Sequence, residues 1–113
     1  MTLLRIVLVV HLGLLLAYTT VVIGNHGMTL FPAFFGDIAE MGWPGQFNFD
    51  FTGFLILSAL WTAWRNNFSP LGLLLAVVAF FGGMGFLSIY VLILSLGARD
   101  IQDILLGSAA RSA

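Results

Sequence analysis

The chain contains no cysteine and no lysine; its four basic residues are all arginine, and charged side chains make up only 8% of its 113 residues. Without cysteine there is no disulfide, no thiolate nucleophile and no Cys-ligated metal. A soluble domain carries charge on about a quarter of its residues, so a water-exposed globule is excluded. The net charge of −1 leaves no basic surface for a nucleic acid. What is present instead is hydrocarbon: 60% of the residues are hydrophobic and the mean hydropathy is +1.07.

That hydrocarbon is concentrated in three runs, 3–23, 47–64 and 70–96. A helix of about 20 mostly apolar residues crosses the hydrocarbon of a bilayer. The runs lack the period-two alternation of membrane strands. The expected fold is therefore all-α, a single integral membrane domain over 1–113 built as a three-helix bundle. Arg5 near the start of the first run resembles the opening of a secretory signal, but Tyr18-Thr19-Thr20-Val21-Val22-Ile23 offers no small-x-small cleavage site. A retained helix is expected there. Ser69-Pro70 predicts the start of the third helix, with Ser as N-cap and Pro at the first position. As one rod that helix would be about 40 Å long, so it must tilt, protrude or bend, most readily at Gly82-Gly83-Met84-Gly85.

The first loop is not an ordinary polar loop. Phe31, Phe34, Phe35, Ile38 and Met41 recur at helical spacing, with Asp37 and Glu40 on other faces. This pattern predicts a short interfacial helix over about 31–42, opened by Pro32 and closed by Gly42, with its aromatic side in lipid. The tail over about 99–107 sets Ile101, Ile104 and Leu105 against Asp100 and Asp103, a weaker amphipathic pattern. Arg5 and Arg65 have no acidic neighbours, whereas the first loop carries Asp37 and Glu40 and no base. The positive-inside rule then predicts a multi-pass protein with the N-terminus cytoplasmic and the C-terminus outside. Arg99 and Arg111 run against that orientation.

Small residues suggest how the helices pack. Gly13 and Ala17 lie on one side of the first helix, and Ala79 and Gly83 on one side of the third. Small side chains at this spacing let membrane helices approach closely, so a parallel contact between these two faces is expected.

Few residues carry chemistry. His11 lies within the first apolar run, and Tyr18 shares its face. An ionisable side chain in hydrocarbon usually meets protein, water or a ligand. His11 is a candidate ligand to haem or a chlorin, or a hydrogen-bond partner for a quinone; the alternative is a structural imidazole bonded to a neighbouring carbonyl. His26 lies about 22 Å further along a continuous helix, so no two-His metal site is expected. Asp50, among phenylalanines and beside Asn48, is a candidate proton or cation site or an ordinary helix start. Asp37 and Glu40, three positions apart, suit a solvated helix face. Tyr90, Ser88 and Ser95 are candidates to bond across helices or to contact a lipid head group, with plain packing as the default reading. Nucleophile-elbow, phosphate-loop and dinucleotide fingerprints are absent. The candidate ligand-binding residues are thus His11, Tyr18, Asp50 and Tyr90, with no catalytic group.

From Asp50 onward the chain resembles small bacterial three-helix membrane proteins that form families of unknown function. The likeness rests on Phe49-Asp50-Phe51-Thr52-Gly53-Phe54, Trp61 with Trp64-Arg65, the Gly83-Met84-Gly85 turn, and Tyr90-Val91 before Asp100 and Asp103. It implies residence in a bacterial inner membrane and transfers no activity. The resulting expectation is a non-enzymatic accessory subunit of a larger membrane complex, in contact with lipid and with other subunits or copies of itself. The alternatives are a binder of a lipophilic ligand (quinone, carotenoid, chlorin or lipid) and a small oligomeric transporter using Asp50.

Overall fold

In the computed structural model, which describes residues 1–107, the chain forms helices and no strand appears among the described residues. The elements are α1 (Thr2–His26), α2 (Leu30–Glu40), α3 (Trp43–Arg65), α4 (Pro70–Gly97) and α5 (Ile101–Leu106). By length and composition α1 and α4 are apolar enough to cross a membrane. The first half of α3 carries Gln46, Asn48, Asp50 and Thr52 and is less apolar.

The ends of these helices follow from local chemistry. Met41, not Gly42, takes the left-handed position that closes α2 (φ 62°), and its N–H bonds to the Ile38 carbonyl. Gly42 is thereby freed to precede α3, whose first turn holds Pro44, a residue with no N–H to leave unpaired. The link between α2 and α3 is so short that α2 lies back along α3. Asn48 Nδ2 donates to the Phe34 carbonyl at 3.1 Å, and a Cβ on Gly45 would fall 2.8 Å from Ile38 Cα. Only glycine fits where the two backbones meet. Ser69 caps α4 by accepting from the Gly72 N–H at 3.1 Å.

The third apolar run does not form one rod. At Gly83 the backbone takes φ 56° and ψ −138°, outside helical geometry, and divides α4 into 70–82 and 84–97. A straight helix would place Tyr90 about 27 Å from Gly72. Instead Asn66 reaches both. A Cβ on Gly72 would lie 2.6 Å from Asn66 Cβ, while Asn66 Nδ2 donates to Tyr90 Oη at 2.9 Å. The second half of α4 therefore folds back beside the first. The glycines expected to bend the helix reverse it.

This reversal corrects the expected packing. α1 does meet α4, but through its second half and in antiparallel sense: Arg5 bonds to Ser95, and Leu15 approaches Gly85. Gly13 faces open space and Ala17 is exposed. Ala79 and Gly83 are buried, and Gly83 rests against Leu55 and Phe51 of α3. Gly83 thus admits α3, the most extensive neighbour of α4, and not the Gly13/Ala17 face of α1. The reversal also corrects the expected separation of the chain ends. α5 lies beside Arg65, at the same end as Arg5, rather than at the far end of a straight α4.

A Cβ at Gly83 would meet Leu55 and Phe51 at an ordinary 3.5 Å, so a substitution there is opposed by backbone strain and not by crowding. Gly83→Ala is expected to lose about 1–3 kcal/mol in detergent unfolding. Gly85→Ala, whose Cβ would contact Leu15 at 3.8 Å, is expected to change stability by less than about 0.5 kcal/mol. Equal losses would contradict the reversal.

Candidate functional site

The last four carbonyls of a helix have no partner within it, and a cation there also complements the helix dipole. Two arginines supply these partners at one end of the molecule. Arg5 donates from Nη2 to the Ser95 carbonyl at 2.7 Å and from Nε to Ser95 Oγ at 3.1 Å, tying the end of α4 to the start of α1. Arg65 donates from Nε to the Ile104 carbonyl and from Nη2 to the Asp103 carbonyl at 3.2 Å. Trp61 Nε1 takes the next carbonyl, Leu105, at 3.0 Å. α5 is thus held to α3 by its own C-terminal carbonyls.

The other end of α5 is capped by acids. Asp100 Oδ1 accepts from the Asp103 N–H at 2.9 Å, as an N-cap residue does. Asp103 Oδ2 accepts from the Arg99 N–H at 3.0 Å and pairs with Arg99 Nε at 3.4 Å. The hydrogen bond and charge of Asp103 raise the Arg99 pKa further above its ordinary value. This layer is structural: Arg5 and Arg65 each give two hydrogen bonds to the protein's own carbonyls or hydroxyl, and Arg99 pairs with the Asp103 carboxylate.

Above this layer lies an apolar groove of about 690 Å³. α1 forms one wall with Leu4, Leu8 and His11, and α3 forms the other with residues from Phe51 to Trp61. Gly83, Met84, Leu87 and Val91 of α4 make the floor. α5 closes the arginine end with Ile101, Ile104 and Leu105. The groove exists because α1 and α3 each pack on α4 more than on one another. Three of its lining side chains have polar atoms available for bonding. Ser58 donates to the Leu55 carbonyl at 2.9 Å, and Trp61 is engaged with Leu105. The His11 imidazole makes no hydrogen bond among the described residues, so the structural bond to a neighbouring carbonyl is not formed.

The four candidate ligand residues do not converge. His11 lines this groove, whereas Tyr18 is 73% exposed, further along α1. Asp50 is exposed and lines a separate depression with Ile38, Met41, Gln46 and Phe49. Tyr90 is occupied by Asn66, stacked on Phe86 (5.3 Å between ring centres) and edge-on to Trp61 (6.0 Å). Asp37 gives its carbonyl to the close contact at Gly45. Among the described residues no three His, Asp or Glu side chains cluster to hold a metal. Sequence reasoning missed Asn66 and the carbonyl-binding roles of Arg5 and Arg65. The signal was there in arginines without nearby acids.

Comparison with protein-family models, characterised proteins and solved structures finds no match to the chain.

The two buried serines of α4 separate the clasp from general packing. Ser95 accepts from Arg5, whereas Ser88 Oγ is buried without a partner among the described residues. Ser95→Ala is expected to cost about 1–2 kcal/mol, and Ser88→Ala nothing or a slight gain, because removing an unpaired hydroxyl relieves its desolvation. Denaturant unfolding of the two variants side by side checks this.

Proposed function

We propose that the protein is a non-enzymatic, multi-pass protein of a bacterial inner membrane that holds a lipophilic molecule in the groove between α1 and α3. The observation that carries this reading is the groove itself. It has the size of ligand sites, about 300–1,000 Å³, and their make-up of apolar and aromatic walls with few polar groups. The polar side chains at the arginine end, Arg5, Arg65, Trp61 and Asp103, are engaged in holding the fold.

In this reading α1 and α3 cross the bilayer in opposite directions. α4 enters from the arginine end, turns at Gly83 and returns, as non-helical backbone at membrane depth does when protein covers it. α2 follows α3 inward instead of lying flat in the interface. Arg5, Arg65 and Arg99 then share one side, and the positive-inside rule puts that side in the cytoplasm. Arg99, which opposed the orientation of three straight spans, supports this one. Residues 108–113, including Arg111, lie outside the described residues.

A second reading, an accessory subunit of a larger membrane assembly, is supported by α1 beyond Leu15. Every residue from Leu16 to His26 is exposed, which leaves that length for lipid, another subunit or another copy of the chain.

Two measurements test the first reading. Because the chain has no native cysteine, single cysteines report sidedness directly. Met28→Cys is expected to react with a membrane-impermeant maleimide in intact cells, and Gln102→Cys only after permeabilisation. Mild detergent purification followed by solvent extraction and mass spectrometry is expected to recover about one lipophile per chain. Leu8→Trp, which fills the groove, should lose it. Identical extracts from both proteins would refute ligand binding here.

A further inference from the structure

The groove shows which chemistry its occupant has. Among the described residues no carboxylate, guanidinium or ammonium group lines it, so a charged head placed there would go unpaired in a low-dielectric setting, at large cost. Arg5 and Arg65 stand at its arginine end, but they are bonded to the carbonyls of Ser95, Asp103 and Ile104. Of the polar side chains in the lining, Ser58 and Trp61 have donated to backbone carbonyls. His11 has both ring nitrogens unengaged among the described residues, whereas Ser58 Oγ can still only accept and the Trp61 N–H is taken. An imidazole at this depth is expensive unless something bonds to it.

The shape limits how an occupant arrives. α5 lays Ile101, Ile104 and Leu105 across the arginine end and is anchored there by Arg65 and Trp61. The rim residues Phe54 and Leu57 of α3 are exposed, so the open side lies between α1 and α3. Entry is lateral, from hydrocarbon.

Resting on the ligand-binding reading above, we propose that the groove takes an uncharged lipophile with one carbonyl- or hydroxyl-bearing head, seated against His11 and loaded from the bilayer. Its chain lies along Phe51, Phe54 and Leu87. A phospholipid head group has no counter-charge in this site, and a porphyrin-type metal has only one histidine available to it.

The test uses Trp61, which lines the groove, as sole fluorophore in the full chain carrying Trp43→Phe and Trp64→Phe. Decylbenzoquinone, a neutral carbonyl-headed probe and efficient quencher, is titrated into protein in phosphatidylcholine vesicles. Saturable quenching is expected, and dodecanol should compete with it while dodecyl phosphate should not. His11→Leu should raise the apparent Kd about tenfold, the effect of one lost hydrogen bond, and His11→Gln should restore part of it. Circular dichroism and detergent unfolding confirm that both variants fold. Quenching that is unchanged in His11→Leu but abolished by Leu8→Phe, which narrows the groove without adding a fluorophore, would overturn the assigned head position and leave ligand binding standing. Equal competition by dodecyl phosphate would overturn the requirement for a neutral head. No saturable quenching in any variant would overturn ligand binding itself.

Discussion

A helix that turns back on itself ends twice, and each end leaves backbone groups that must find partners. That constraint governs this protein from Gly83 onward. The reversal needs a residue that tolerates φ 56° without a Cβ, and glycine meets that need at the tip. It then delivers the C-terminal carbonyls of α4 and α5 to the end of the molecule where α1 begins and α3 stops. Arg5, Arg65 and Trp61 meet them there. Strain at one end and a clasp at the other belong to one design, because neither is useful without the other.

The groove is a by-product of that design. A straight α4 would have packed α1 along its length through small residues and closed the space. Folded back, α4 offers its second half to α1 and most of its small-residue face to α3. The two walls are thereby held apart over a floor of Met84, Leu87 and Val91. α5, drawn in by Arg65, seals the end nearest the charges. The same interactions that retain the fold thus set the width of the proposed site and leave His11 beside it without a hydrogen-bond partner among the described residues.

Much of this was legible in the residues, and the part that was not has a physical reason. Local chemistry read well: Ser69-Pro70 starts α4 because capping and the missing proline N–H involve only neighbours in sequence. The glycine cluster marked a weak point for the same reason. What could not be read was the size of the turn, since 82–85 permits a bend of any angle and only the later contacts of Tyr90 and Ser95 select a reversal. Stripe reasoning misled at Gly13 and Ala17 because small residues permit close approach without naming the partner. Arg99 ran against the orientation expected of three straight spans; in the proposed topology, with α5 beside Arg65 at the end where Arg5 lies, it no longer does. Among the candidate site residues, His11 stood out as an ionisable group within an apolar run, and the structure places it beside the groove. Tyr90 looked equally available until Asn66 was placed beside it.

The central claim is that α4 folds back at Gly83, and a single distance tests it. Leu71 and Leu96 are exposed on the two halves of α4 and, in a chain free of cysteine, can be replaced by cysteine and spin-labelled without background. Double electron–electron resonance in lipid nanodiscs should then give a separation below about 25 Å, as expected for adjacent helices packed 8–10 Å apart with flexible labels. A distance near the roughly 38 Å of a continuous helix would contradict the reversal and with it the groove.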